Sequence, residues 1–102
     1  MSVTLLNVFI VPEASEAEFL RNWRETTAHF SKHPGFIETH LHRNTGVGNQ
    51  SFRFINIATW ESAEAWRSTH AEYTPGEYSV AGVQGHPAIF ESVIDAYRQS
   101  SG

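Results

Sequence analysis

An α+β domain with the element order β-α-β-β-α-β is what this sequence predicts. Three observations carry it: strand-like apolar runs near both ends, a helical apolar stripe following the first run, and two further strand-like segments joined by a loop rich in Gly and Asn. With 102 residues, of which 40% are hydrophobic and 13% aromatic, there is material for one modest core, so a single domain over residues 1–102 is expected.

Thr4 to Val11 is rich in Leu, Val, Ile and Phe and stops at Pro12, which reads as a buried strand closed by a residue that cannot donate to a ladder. Ser15-Glu16-Ala17-Glu18 has the form of a capping box, with Ser15 and Glu18 each reaching the other's backbone, so a helix is expected to start there. Phe19, Leu20, Trp23, Thr27 and Phe30 then fall on one helical stripe, and His33-Pro34-Gly35 ends it. From Phe36 to Arg43 alternation predicts a second strand, with Phe36, Glu38, His40 and His42 on one face and Ile37, Thr39 and Leu41 on the other. The Asn44 to Gln50 segment reads as a loop leading into a third strand, Phe52 to Thr59, and the two strands as a hairpin. Ser62 opens a short helix carrying Ala65, Trp66 and Thr69, which fades before Thr74-Pro75-Gly76. A glycine-containing loop from Gly76 to Gly85 follows, then Pro87, a fourth strand from Ala88 to Tyr97, and a frayed tail from Gln99 to Gly102.

This order is the ferredoxin-like arrangement, whose sheet order 4-1-3-2 puts the first and third strands side by side and antiparallel at the centre. Helices then cover one sheet face and leave the other, with Ile55 and Ile57, uncovered. Burial against a second copy is the economical solution, so the expected assembly is a homodimer forming a dimeric α+β barrel.

The absence of cysteine excludes disulfides, zinc–thiolate sites, iron–sulfur clusters and thiol nucleophiles. Seven Lys plus Arg against eleven Asp plus Glu give a formal charge of -4 with scattered cations, so nucleic acid is not the expected partner. Met1 to Ile10 has neither a basic region nor a long apolar stretch, and no later run approaches bilayer-spanning length, so a cytoplasmic protein without membrane association is expected. A small-molecule ligand fits this balance better, and the aromatic content could line a pocket for a flat one.

Two residues break otherwise apolar strand faces. Asn7 shares a face with Val3, Leu5, Phe9 and Val11, and Asn56 shares one with Phe52, Phe54, Ala58 and Trp60. Buried amides are costly unless hydrogen-bonded, so two on neighbouring strands mark a polar spot in an apolar pocket. A lone Asn would be read as bonding nearby backbone; two of them with Trp60 favour a site.

The run Phe54-Ile55-Asn56-Ile57-Ala58-Thr59-Trp60-Glu61-Ser62-Ala63-Glu64-Ala65-Trp66, together with Pro34-Gly35-Phe36, resembles the signature stretch of the antibiotic biosynthesis monooxygenases. The resemblance extends from the Asn7 strand to His86-Pro87-Ala88. It implies cofactor-independent oxidation by O2 of an electron-rich aromatic such as a hydroquinone, anthrone or polyketide-like phenol, with no metal. In such members an Asn-x-x-x-Trp pair contributes to the active site, matched here by Asn56 and Trp60; the aromatic six residues on, a Tyr in some of them, is here Trp66. The catalytic candidates are thus Asn7, Asn56, Trp60 and His70, and the substrate-binding candidates are Trp66, Phe9, Phe54, Trp23 and His86.

Haem-degrading relatives of the same fold supply a rival reading, since they pair a first-strand Asn with a Trp and an axial His. Asn7 fits the first, but Thr69 and Tyr78 or Ser79 stand near the other two places, leaving His70 or His86 as the axial ligand by another geometry. A noncatalytic dimeric ligand-binding protein is the alternative from a different class. Among the six histidines, His29 and His33 are read as interacting with a helix C-terminus, and His40 and His42 as exposed or interfacial. His70 and His86 are placed near the expected pocket mouth, where a base active near neutral pH would suit.

Overall fold

The computed structural model describes residues 2–72 and 80–99. The first strand, β1, spans Val3–Ile10 and leads through a single 3-10 turn at Glu13–Ser15 into α1, Glu16–Phe30. The hairpin strands are β2, Phe36–Arg43, and β3, Phe54–Trp60; α2 spans Ala63–Ala71 and β4 spans Gln84–Phe90. Residues 76–79 of the expected loop from Gly76 to Gly85, and residues 100–102 of the tail, lie outside the described residues.

All four strands form one antiparallel sheet in the order β2-β3-β1-β4, the ferredoxin-like order expected from the sequence. β1 and β3 are central, in the register Leu5 to Ala58, Asn7 to Asn56 and Phe9 to Phe54. That register organises the core. Leu5, Ala58 and Trp60 anchor one apolar cluster, joined by Phe30, Phe36, Trp66 and Ile89. Val11, Phe19 and Phe54 anchor a second, joined by Phe9, Trp23 and Leu41. Asn7 and Asn56 sit directly opposite one another between the two.

Local chemistry explains where the elements depart from expectation. The capping box at Ser15 does not form, because the 3-10 turn already directs the Ser15 N–H to the Pro12 carbonyl at 2.8 Å. Ser15 has φ -103° and ψ 0° rather than the extended backbone of a capping residue, and its hydroxyl donates to the Ala81 carbonyl instead. Ser62, by contrast, caps α2 as expected, its Oγ accepting from Ala65 N at 3.0 Å. In β2 the alternation is broken by a bulge between Phe36 and Glu38. Phe36 therefore faces Trp60 on the helix-covered side with Thr39 and Leu41, while Ile37 is left exposed.

The fourth strand is earlier and shorter than Ala88 to Tyr97. It passes through Pro87, which an edge strand tolerates, and ends at Phe90, leaving Val93, Ile94 and Tyr97 exposed. His86 then pairs with Val8 and Pro87 with Asn7, a phase that decides the fate of His86 below.

Gly35, between α1 and β2, packs against α2 and is required by a close approach. A Cβ there would lie 2.3 Å from Ala65 Cβ, and the Gly35 carbonyl accepts from Glu61 N at 2.8 Å. Gly35→Ala is expected to push α2 off the sheet and cost about 1–3 kcal/mol, measurable by urea unfolding.

Candidate functional site

Between the two apolar clusters, under α1 and α2, lies a cavity of about 240 Å³. Its floor is the covered sheet face: Leu5, Asn7 and Phe9 from β1, Asn56, Ala58 and Trp60 from β3, and Thr39 from β2. Its roof is α1, through Phe19, Asn22, Trp23, Thr26, Thr27 and Phe30. Trp66 and His70 enter from α2, Val80 and Val83 from the segment entering β4, and Pro87 from β4 itself. The lining therefore alternates large apolar surfaces with a few polar groups, the composition of a small-molecule site.

Both floor amides are held by their oxygens. Asn7 Oδ1 accepts from His86 N at 2.8 Å, and because a backbone N–H can only donate, this fixes which end of the amide is which. The contact also gives β4 a partner for an N–H next to Pro87. Asn56 Oδ1 accepts from Thr39 Oγ1 at 2.5 Å. Each Nδ2 is left without a hydrogen bond among the described residues, in a side chain that lines the cavity.

Trp60 supplies a third donor. Its side chain is the largest fully buried one among the described residues, at 2% exposure, wedged edge-on against Phe30 and Phe36 with ring centroids 6.4 and 5.5 Å away. Yet Trp60 Nε1 is buried with no hydrogen-bond partner. An orphaned N–H costs about 1–3 kcal/mol in the ligand-free protein, so it needs an explanation, and an acceptor brought by a ligand supplies one.

The structure gathers Asn7, Asn56, Trp60, His70, Trp66, Phe9 and Trp23 around this cavity. His70 is exposed and stacks on Trp66, with centroids 4.8 Å apart and ring planes at 30°. Two of the expected binding residues are elsewhere. Phe54 lies below the cavity in the second cluster, with its centroid 5.0 Å from that of Phe19, because the aromatic rings at that end of the sheet close over it. His86 is exposed on the opposite sheet face, since its partner Val8 alternates out of phase with Asn7. It contributes a backbone N–H to the site and not its imidazole.

Asn22, Thr26, Thr27 and Thr39 are the polar lining residues that sequence reasoning did not assign to the site. Asn22 had a readable signal, an amide one residue before Trp23 near the apolar stripe of α1. Thr39 had a weaker one: alternation puts it on the face of Leu41, but with Phe36 on the other face, so the side that meets the helices was not marked.

A family model described as antibiotic biosynthesis monooxygenase matches residues 2–72. No curated protein sequence matches the chain. Among solved structures, one from Shewanella loihica PV-4 superposes with a TM-score of 0.81 at 24% identity, covering 92% of this chain and 96% of that one. SnoaB from Streptomyces nogalater, a cofactor-independent oxygenase, is 28% identical with a TM-score of 0.72, covering 98% of this chain and 96% of its own. The haem-degrading protein Rv3592 from Mycobacterium tuberculosis shares the fold at 23% identity and a TM-score of 0.66, covering 95% and 100%.

Proposed function

The chain belongs to the antibiotic biosynthesis monooxygenase family, and from that premise we propose that it oxidises an electron-rich aromatic with O2, without an organic cofactor or metal. One observation carries the reading: Asn7, Asn56 and Trp60, whose two Nδ2 groups and Nε1 form no hydrogen bond among the described residues, line a single cavity.

For a hydroxyanthrone or hydroquinone, removal of a proton gives an anion rich enough to reduce O2 itself. The three donors hold the negative oxygen in place of water, where a low-dielectric wall strengthens each hydrogen bond. Electron transfer to O2 and combination at carbon give a peroxide, and loss of water leaves the quinone. One oxygen atom enters the product, the other leaves as water, and the substrate provides all four electrons. His70, at the exposed end of the cavity, is the group we assign to accept the proton. Phe9, Trp23 and Trp66 provide flat surfaces for the ring system.

SnoaB, itself a cofactor-independent oxygenase, supports this reading. Haem fits the residues less well. His86 is on the other sheet face, His70 is packed on Trp66, and no Lys or Arg among the described lining residues stands ready for propionates. Titration with haemin is expected to give no shifted Soret band; a stable shifted band would favour the haem reading. Incubation with an anthrone under ¹⁸O2 is expected to place one labelled oxygen in the quinone, faster than in protein-free buffer, and an unlabelled product would refute oxygenation.

The uncovered sheet face carries Leu6, Val8, Ile55 and Ile57, with Ile57 37% exposed and Phe90 49%. We assign that face to a second copy, giving a homodimer. Light scattering at micromolar concentration is expected to report about twice the 11.5 kDa chain mass, and a persistent monomer would contradict the assignment.

No helix among the described residues is long and apolar enough to cross a membrane.

A further inference from the structure

A carboxamide has two ends of nearly equal size and opposite hydrogen-bonding sense, so its own shape does not decide which end meets a ligand. Turned one way, Asn7 and Asn56 offer the cavity an N–H. Turned the other way, they offer an oxygen, which repels the negative charge that the reaction builds. Something beyond the two asparagines must therefore hold both nitrogens inward.

The register supplies it from both edges of the sheet. Asn56 in β3 pairs with Leu41, and its diagonal neighbour on β2 is Thr39, opposite Ala58. The Thr39 hydroxyl reaches across that diagonal and donates to Asn56 Oδ1. Asn7 in β1 pairs with Pro87, and its diagonal neighbour on β4 is Gly85, opposite Phe9. Here the donor is the His86 backbone N–H, and Asn7 Oδ1 reaches it across the space that Gly85 leaves open. A Cβ on Gly85 would stand 3.0 Å from Phe9 Cε1 and 3.2 Å from Asn7 Oδ1, both closer than ordinary contact. Phe9 is braced edge-on against Phe19, with ring centroids 4.9 Å apart, so the Asn7 carboxamide is the softer neighbour. Gly85 is not among the glycines of positive φ, so the requirement is for space and not for backbone conformation.

We propose that Thr39 and Gly85 are positioning residues, one by donating a hydrogen bond and the other by lacking a Cβ, and that they hold the Asn56 and Asn7 carboxamides with both nitrogens toward the cavity. Each acts through one asparagine and not on the substrate. Their effect on rate rests on the oxygenase reading, whereas their effect on the orientation of the amides does not.

Double-mutant cycles on quinone formation test the pairing. Thr39→Val, which keeps the shape and removes the donor, is expected to lower kcat about tenfold with KM little changed, and Thr39→Ser to recover most of the rate. Gly85→Ala is expected to lower kcat by a similar factor, because the carboxamide must turn away from the His86 N–H. Thr39→Val should add nothing in an Asn56→Ala background and keep its full effect in Asn7→Ala, and Gly85→Ala should show the reverse. Losses that multiply within either pair, Thr39 with Asn56 or Gly85 with Asn7, would overturn the proposal. The carboxamide resonances of ¹⁵N-labelled protein report orientation without turnover: those of Asn56 should shift in Thr39→Val and those of Asn7 in Gly85→Ala, each leaving the other in place. Resonances unmoved in both variants would also overturn the proposal. The expected shifts in a protein that forms no labelled quinone would refute the oxygenase reading alone.

Discussion

Asn56→Ala is expected to lower kcat by about 10²–10³-fold, the loss that follows removal of one preorganised donor from a developing oxyanion. The argument starts from the sheet. Asn56 lies in a central strand between Phe54 and Ala58 on the covered face, so its amide is held by β-structure on both sides. The Thr39 hydroxyl then occupies its oxygen, which leaves the nitrogen as the end offered to the cavity. Alanine removes that donor and strands the Thr39 hydroxyl. A modest loss of stability, about 1 kcal/mol, should accompany the loss of rate. Steady-state quinone formation and urea unfolding separate the two effects. A fall in stability with unchanged kcat would show that Asn56 serves only Thr39.

Trp60→Phe is the second large effect, and two opposing terms govern it. The smaller ring leaves part of the space between Phe30 and Phe36 unfilled, which destabilises the first core cluster. Removing Nε1–H, however, also removes an unsatisfied buried donor and relieves about 1–3 kcal/mol of desolvation cost. The net change in stability should therefore be smaller than the lost volume suggests, while kcat falls about 10²–10³-fold for want of the third donor. Equal stability and equal kcat would show that the indole N–H has no part in the reaction. Trp60→Ala would test little, because emptying the largest buried side chain endangers the fold itself.

Much of this architecture could be read directly from side-chain patterning. β2 runs over Phe36–Arg43, as its composition indicates, and Asn7 and Asn56 announce themselves as polar breaks in apolar faces. That they lie on neighbouring strands could also be anticipated, since the ferredoxin-like order makes β1 and β3 neighbours, whereas their direct opposition is set by the register. What sequence periodicity could not supply was phase. The bulge after Phe36 moves that residue to the same face as Thr39, a shift decided by how the hairpin meets Trp60. In β4, Pro87 looks like a boundary when backbone hydrogen bonds are counted alone. The strand continues through it because β4 is an edge and the Asn7 side chain takes the neighbouring His86 N–H. That one shift moves the His86 imidazole to the opposite face. The 3-10 turn before α1 likewise overrides a plausible capping box, because turn geometry at Pro12 uses the Ser15 N–H first. Asn22 and Thr27 were obscured for another reason: a helix face mixing Phe, Trp, Asn and Thr looks like a core stripe with a polar margin until the opposite wall is known.

The most direct measurement is oxygen uptake by haem-free, chelator-treated protein given an uncharged hydroxyanthrone, with quinone monitored in parallel. One O2 consumed per quinone formed, well above the protein-free rate and lost in a variant lacking both floor amides, Asn7→Ala with Asn56→Ala, is the predicted result. Uptake that appears only after haemin or a metal ion is added, or that persists in the double variant, would contradict oxygenation by these residues.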